Sequence, residues 1–154
     1  MYVCGTSTTY GDMEITDGGI DISKARETPD GIVCMDAVFD CHDVPQSVIP
    51  IENAKADLLY VVGCDDHCFR GERHADFAAE KMKAAGMTSL EVAKFPGMGH
   101  LVDLPFVPPC TVSFHLFHPN KLFYYGGGRD RGVHCEQVRQ TWKTVVNFFR
   151  RTLR

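Results

Sequence analysis

The chain has 154 residues and a mass of 17.2 kDa, which fits one domain or a piece of a larger one. A net charge of −4 and a pI of about 5.9 give no basic patch or stripe, so no nucleic-acid partner is expected. With 44% hydrophobic and 23% charged residues the chain is not disordered as a whole, and no apolar run nears the roughly 18 residues of a membrane span.

The first zone, Met1–Asn53, reads as loops and short elements. Met1-Tyr2-Val3-Cys4 is a short apolar stretch expected to form a strand ending at Gly5. Thr6–Gly31 is polar, rich in Gly and Asp, and has little periodicity. Ile32–Phe39 is apolar but weakly patterned.

The second zone, Ala54–His100, carries the clearest pattern. Leu58-Leu59-Tyr60-Val61-Val62 is a continuous apolar run closed by Gly63, as in a strand buried on both faces of a parallel sheet. A helix is predicted over Glu72–Ala85, with Ala75, Ala78, Ala79, Met82 and Ala85 on one face and Gly86 as the terminating glycine. Leu90–Phe95 alternates as a second strand and stops at Pro96-Gly97. Strand, helix and strand in this order are the rhythm of an α/β protein.

In the third zone, Leu101–Arg154, the stretch Asp103–Gly132 reads as a long loop punctuated by prolines and by Gly126-Gly127-Gly128. A last helix follows. Val138, Trp142, Val145, Val146, Phe149 and Leu153 form its expected apolar stripe, and Arg150, Arg151 and Arg154 stand at the negative end of its dipole.

Functional groups of open α/β sheets gather beyond the carboxyl ends of the strands. Two loops stand there: Gly63-Cys64-Asp65-Asp66-His67 after the first strand, and Pro96-Gly97-Met98-Gly99-His100 after the second. An acid after one strand and a histidine after the next is the tail of the Ser…Asp…His order of α/β-hydrolases. The carboxylate holds one imidazole nitrogen while the other nitrogen takes and returns the nucleophile's proton. On this pattern either Asp65 or Asp66 serves as the acid, and turn formation is the competing use of both.

These residues resemble a known family. Val61-Val62-Gly63-Cys64-Asp65-Asp66-His67 resembles the acid loop of the acyl-CoA thioesterase and bile acid-CoA:amino acid N-acyltransferase family. Phe95-Pro96-Gly97-Met98-Gly99-His100-Leu101-Val102-Asp103-Leu104-Pro105 resembles its histidine loop, and Pro108-Pro109-Cys110 the Pro-x-Cys that follows. Gly126-Gly127-Gly128, His134 and Trp142 resemble the stretch before its final helix, and Ser47–Ala54 its entry to the strand. The likeness covers about residues 47–153 and is looser over 1–46.

The resemblance implies Asp66 as the orienting acid, since the family's acid stands 34 positions before its histidine, and His100 as the base. It implies the C-terminal portion of an α/β-hydrolase fold, with residues 1–154 as a partial domain. It also implies acyl transfer from a CoA thioester, to water in a thioesterase or to an amine such as glycine or taurine in an N-acyltransferase. The CoA thioester is the substrate, and no cofactor is expected. The family's nucleophile is Ser or Cys on a Gly-x-Ser/Cys-x-Gly elbow, which this sequence lacks; Gly5-Thr6-Ser7-Thr8-Thr9 has no second glycine. The expectation is therefore a fragment supplying the Asp and His of a triad. The alternative is an inactive remnant, at most a binding module.

Seven cysteines, an odd number, with no secretory signal in Met1–Tyr10, point to free thiols in a reducing compartment. That reading is intracellular and cytoplasmic first, with a peroxisomal or mitochondrial parent left open. Thr152-Leu153-Arg154 is not a Ser-Lys-Leu address. Cys64, His67, Cys68 and His74 lack the spacing of a zinc site, and His115 and His118 read as part of a packed aromatic segment.

Overall fold

A computed structural model describes residues 7–10, 13–16, 22–29, 31–38, 48–104, 106–108, 113–115, 118–123 and 128–153. The expected strand Met1–Cys4 and the pair Gly126-Gly127 lie outside them. The described elements, in order, are β1 (Ser7–Tyr10), β2 (Met13–Thr16), β3 (Arg26–Thr28), β4 (Gly31–Val33), β5 (Leu58–Gly63), α1 (Gly71–Ala84), β6 (Leu90–Phe95), β7 (Ser113–His115), β8 (His118–Phe123) and α2 (Arg131–Thr152). This is a small α/β domain with parallel strands and flanking helices, consistent with the C-terminal part of an α/β-hydrolase fold.

β5 and β6 pair in parallel, in register from Leu58↔Leu90 to Gly63↔Phe95, with α1 as the crossover. Val62 packs toward Gly71 at the start of α1, whereas Val61 joins Phe95, Met98, Val138 and Trp142. Successive strand residues point to opposite faces. The two helices therefore flank the strand pair, α1 on one side and α2 on the other. Only Val62 of β5 is fully buried; Leu58 to Val61 are half-buried, less than the continuous apolar run implied, and among the described residues one helix packs on each face.

Helix α1 begins one residue before the predicted start and buries Ala75, Ala78 and Met82, while Ala85 lies exposed at its end. It closes as the sequence implied. Gly86 adopts φ +72°, its N–H reaches the carbonyl of Lys83, and Met87 N–H reaches that of Met82. This left-handed closure is a conformation glycine adopts without a Cβ penalty.

Helix α2 departs from the expected stripe. Its buried positions are His134, Val138, Thr141 and Phe148, whereas Val146, Phe149 and Leu153 are exposed. Counting apolar residues alone missed the two polar members of the true face. Thr141 is accommodated because its hydroxyl donates to the Gln137 carbonyl and contacts Met98 Sδ. The helix starts at Arg131 because the Asp130 carboxylate accepts from the N–H groups of Gly132 and Val133. Its far end is tied to β6 by Arg151, which grips both oxygens of Glu91.

The first zone holds the short elements expected of it, β1 to β4, whereas the stretch 103–132, read as a long loop, contains the strands β7 and β8. β1 and β2 form a hairpin, and β3, β4, β8 and β7 form a four-stranded sheet in that order. Pro119 hid β8 from sequence patterning, since proline cannot donate to a ladder. It falls in the irregular stretch between the pairs Phe114↔Leu122 and His115↔His118.

Candidate active site

The two loops beyond β5 and β6 come together. Gly63 makes this possible: a Cβ there would collide with the backbone carbonyls of Met98 and Gly99. Cys64 N–H donates to the Phe95 carbonyl and Asp65 N–H to the Met98 carbonyl, which locks the acid loop against the histidine loop.

Asp66 and His100 meet in this junction. Asp66 Oδ2 lies 2.9 Å from His100 Nδ1. Asp66 Oδ1 accepts the backbone N–H groups of Cys68 at 2.7 Å and Phe69 at 3.0 Å. The turn chemistry that competed with an acid role is thus present as well, on the other oxygen of the same carboxylate. A carboxylate only accepts, so Nδ1 is the donor and Nε2 is left as the basic nitrogen. The Asp66 side chain is 10% exposed and that of His100 28%, so the acid is shielded while the imidazole opens to one side. Phe69 lies against the His100 ring, with centroids 4.9 Å apart and planes tilted by 30°.

Asp65 does not face His100. One of its oxygens lies 3.1 Å from His67 Nε2, and the other accepts the Arg129 N–H at 2.6 Å. It thereby pins the segment entering α2 to the acid loop. Gly128 sits on the Gly97 carbonyl with no room for a side chain, and Gly97, at φ +76°, meets Val133. Beyond His100, Trp142 Nε1 donates to the Asp103 carbonyl and holds the outgoing chain.

Sequence reasoning missed Phe69, and it noted His134 only as part of the family resemblance, with no role at the site. His134 is fully buried, and its Nδ1 accepts the Gly99 N–H at 3.1 Å. The available signal was its spacing of four and seven residues from Val138 and Thr141 on α2.

None of Ser7, Cys34, Cys64 and Cys68 has the setting of an activated nucleophile. Ser7 opens a strand of a hairpin rather than a strand-to-helix turn. Burial pushes the Cys34 thiol up to about 11 and the Cys68 thiol up to about 12, and that of Cys64 is also raised, first by burial and then by Glu72. A thiol that is not ionised is a poor nucleophile. Cys64, His67, Cys68 and His74 form no metal-holding group among the described residues. No helix there is long and apolar enough to cross a membrane.

The family model described as "BAAT / Acyl-CoA thioester hydrolase C terminal" matches residues 1–154. The chain belongs to this family. It is 36% identical to mouse peroxisomal succinyl-coenzyme A thioesterase over 136 residues, which cover 85% of this chain and 31% of the relative. It is 30% identical to human acyl-coenzyme A thioesterase 6 over 150 residues, 94% of this chain and 34% of the relative. It is 25% identical to rat acyl-coenzyme A amino acid N-acyltransferase 2 over 146 residues, again 94% and 34%. The chain thus spans about a third of the length of the curated relatives it matches, and those relatives include both thioesterases and an acyltransferase.

Proposed function

We propose that this chain carries the acid and the base of a Ser/Cys-His-Asp relay that transfers an acyl group from a CoA thioester. Asp66 orients the ring and His100 moves the proton. The observation that supports this is the 2.9 Å approach of Asp66 Oδ2 to His100 Nδ1, on a carboxylate already fixed by two backbone N–H groups. The nucleophile's O–H or S–H gives its proton to His100 Nε2 as the oxygen or sulfur attacks the thioester carbonyl. The same proton then leaves with the CoA thiol, and an acyl-enzyme remains. Water or an amine next loses a proton to Nε2 and attacks the acyl carbon, and the nucleophile leaves with that proton as its O–H or S–H is restored. Water gives hydrolysis; an amine such as glycine or taurine gives an amide. The site of action in this reading is intracellular, and two relatives carry peroxisomal and mitochondrial locations in their names.

A second reading is a chain without turnover of its own, at most a binding module. The observations favouring it are that Ser7 stands in a hairpin strand and that burial pushes the Cys34 and Cys68 thiols up to about 11 and about 12.

The two are separated by assaying acyl-CoA turnover, with water and with glycine or taurine, in two proteins. One is the 154-residue chain alone. The other is a chimera in which it replaces the matching third of the mouse succinyl-CoA thioesterase. The expected result is no turnover by the chain alone and turnover by the chimera that falls about 10³–10⁴-fold or more in His100→Ala and Asp66→Asn. A folded, active chimera indifferent to His100→Ala overturns the relay. A folded chimera with no turnover supports the second reading.

A further inference from the structure

We propose that His134 is a positioning residue, whose Nδ1 fixes the Gly99 peptide and thereby the placement of His100 against Asp66. This rests on the reading of Asp66 and His100 as acid and base.

The histidine loop needs such a fixture. Gly97 and Gly99 flank Met98 just before His100, and glycine gives the backbone the widest range of φ and ψ. The Met98 end of the loop is held by Phe95, by Asp65 and by Thr141 on its sulfur. The Met98–Gly99 peptide is thus held on both sides, its carbonyl by the Asp65 N–H and its N–H by His134 Nδ1 at 3.1 Å. The Gly99 backbone bonds lead from that peptide to His100, so holding its plane sets the base from which the His100 ring is aimed at Asp66.

The ring that supplies the acceptor is itself immobilised. His134 has no exposed surface and sits in the first turn of α2, which Asp130 caps. Gly128 brings the incoming chain against the Gly97 carbonyl and the Cβ of His134. Accepting at Nδ1 places the imidazole proton on Nε2. That buried Nε2 has no hydrogen-bond partner among the described residues. What this imidazole contributes to the junction is the acceptor at Nδ1.

The role and mere packing predict opposite orders of variants. Asparagine offers a side-chain oxygen near the place of Nδ1 but leaves space unfilled; leucine fills the space and offers no acceptor. The readouts are nuclear magnetic resonance signals of the purified 154-residue chain: the Nδ1–H proton of His100 and the solvent exchange of the Gly99 amide. In His134→Leu, Gly99 exchange should quicken at least tenfold and the His100 Nδ1–H signal should be lost. In His134→Asn both should stay close to wild type. The reverse order overturns the positioning role.

Should His134→Leu fail to fold, wild type and His134→Asn carry the test. A scalar coupling between the Gly99 nitrogen and His134 Nδ1 in wild type, with the His100 signal kept in His134→Asn, supports the role. An absent coupling, or loss of that signal in His134→Asn, overturns it. Asp66→Asn isolates the underlying reading. It should abolish the His100 signal with Gly99 exchange unchanged. If the signal persists there, the acid–base pair fails. If Asp66→Asn behaves as expected while His134→Leu leaves His100 untouched, only the positioning role fails.

Discussion

Gly63 and Gly99 touch backbone to backbone: the last residue of β5 has its Cα where any Cβ would strike the carbonyl oxygen of Gly99. The acid and histidine loops close on each other through this contact. Because the obstacle is main chain and not a flexible side chain, it has little room to give. Gly63→Ala should cost about 1–3 kcal/mol of stability, in the range of overpacking elsewhere. It should also separate Asp66 from His100. Urea denaturation and the His100 Nδ1–H resonance check the two effects, and an alanine variant with wild-type values for both would show that the loops tolerate a wider gap.

His134 sets a pH dependence. Burial lowers its folded-state pKa below the ordinary 6.5, with Asp103 the opposing influence. The unfolded chain then binds the proton more readily than the folded one. Stability should be full above about 6.5 and decline as pH falls through that value toward the folded pKa. Denaturation midpoints measured from about pH 7.5 down to about pH 5.5 should drop in wild type and drop less in His134→Asn.

Thiol reactivity should follow burial. Cys34 and Cys68, raised to about 11 and about 12, have almost no thiolate near neutral pH, whereas Cys135 is exposed on α2. Among the described cysteines, alkylation of the folded chain followed by peptide mapping should label Cys135 first, with Cys34 and Cys68 modified only after denaturant is added. Early labelling of Cys68 would mean that the acid loop opens readily.

Asp130→Ala removes the N-cap of α2 and should cost about 1 kcal/mol. Since α2 begins beside the histidine loop, Gly99 amide protection should fall with it, whereas capping lost at a remote helix end would leave that amide alone.

Val146, Phe149 and Leu153 are 41%, 49% and 74% exposed along one side of α2. Contiguous exposed apolar surface promotes association. The purified chain should bind an exposed-hydrophobe dye and self-associate at micromolar concentration, and Phe149→Lys should reduce both. A dye-silent monomer would run against this.

The sequence made the βαβ unit legible because its patterns are local. An apolar run, a helical stripe and a Gly86 stop each need only a few neighbouring residues; His100 and an acid at Asp65 or Asp66 follow from their places after two strands, and only the family resemblance selected Asp66. The rest depended on long-range partners. The burial of Thr141 depends on Met98, 43 positions away, and that of His134 on Gly99, 35 positions away, so neither polar residue announced itself as core. Strand β8 was hidden by Pro119, whose tolerance depends on a bulge that only the pairing with β7 reveals. The stripe of α2 was misplaced for the same reason. Hydrophobicity ranks residues singly, whereas the helix turns toward whichever face its neighbours can satisfy.

The parallel register of β5 and β6 acts as a ruler for the site. Gly63 stands opposite Phe95, so Asp66 lies three residues past one strand end and His100 five past the other. A slip of one residue along either strand moves its loop by about 3.3 Å, more than the whole length of the bond joining the pair. Chain length can therefore change far more freely between α1 and β6, where Gly86 leads into an open turn, than within residues 64–66 or 96–100. In those two stretches a single inserted residue leaves every side chain in place in the sequence and dissolves the pair in space.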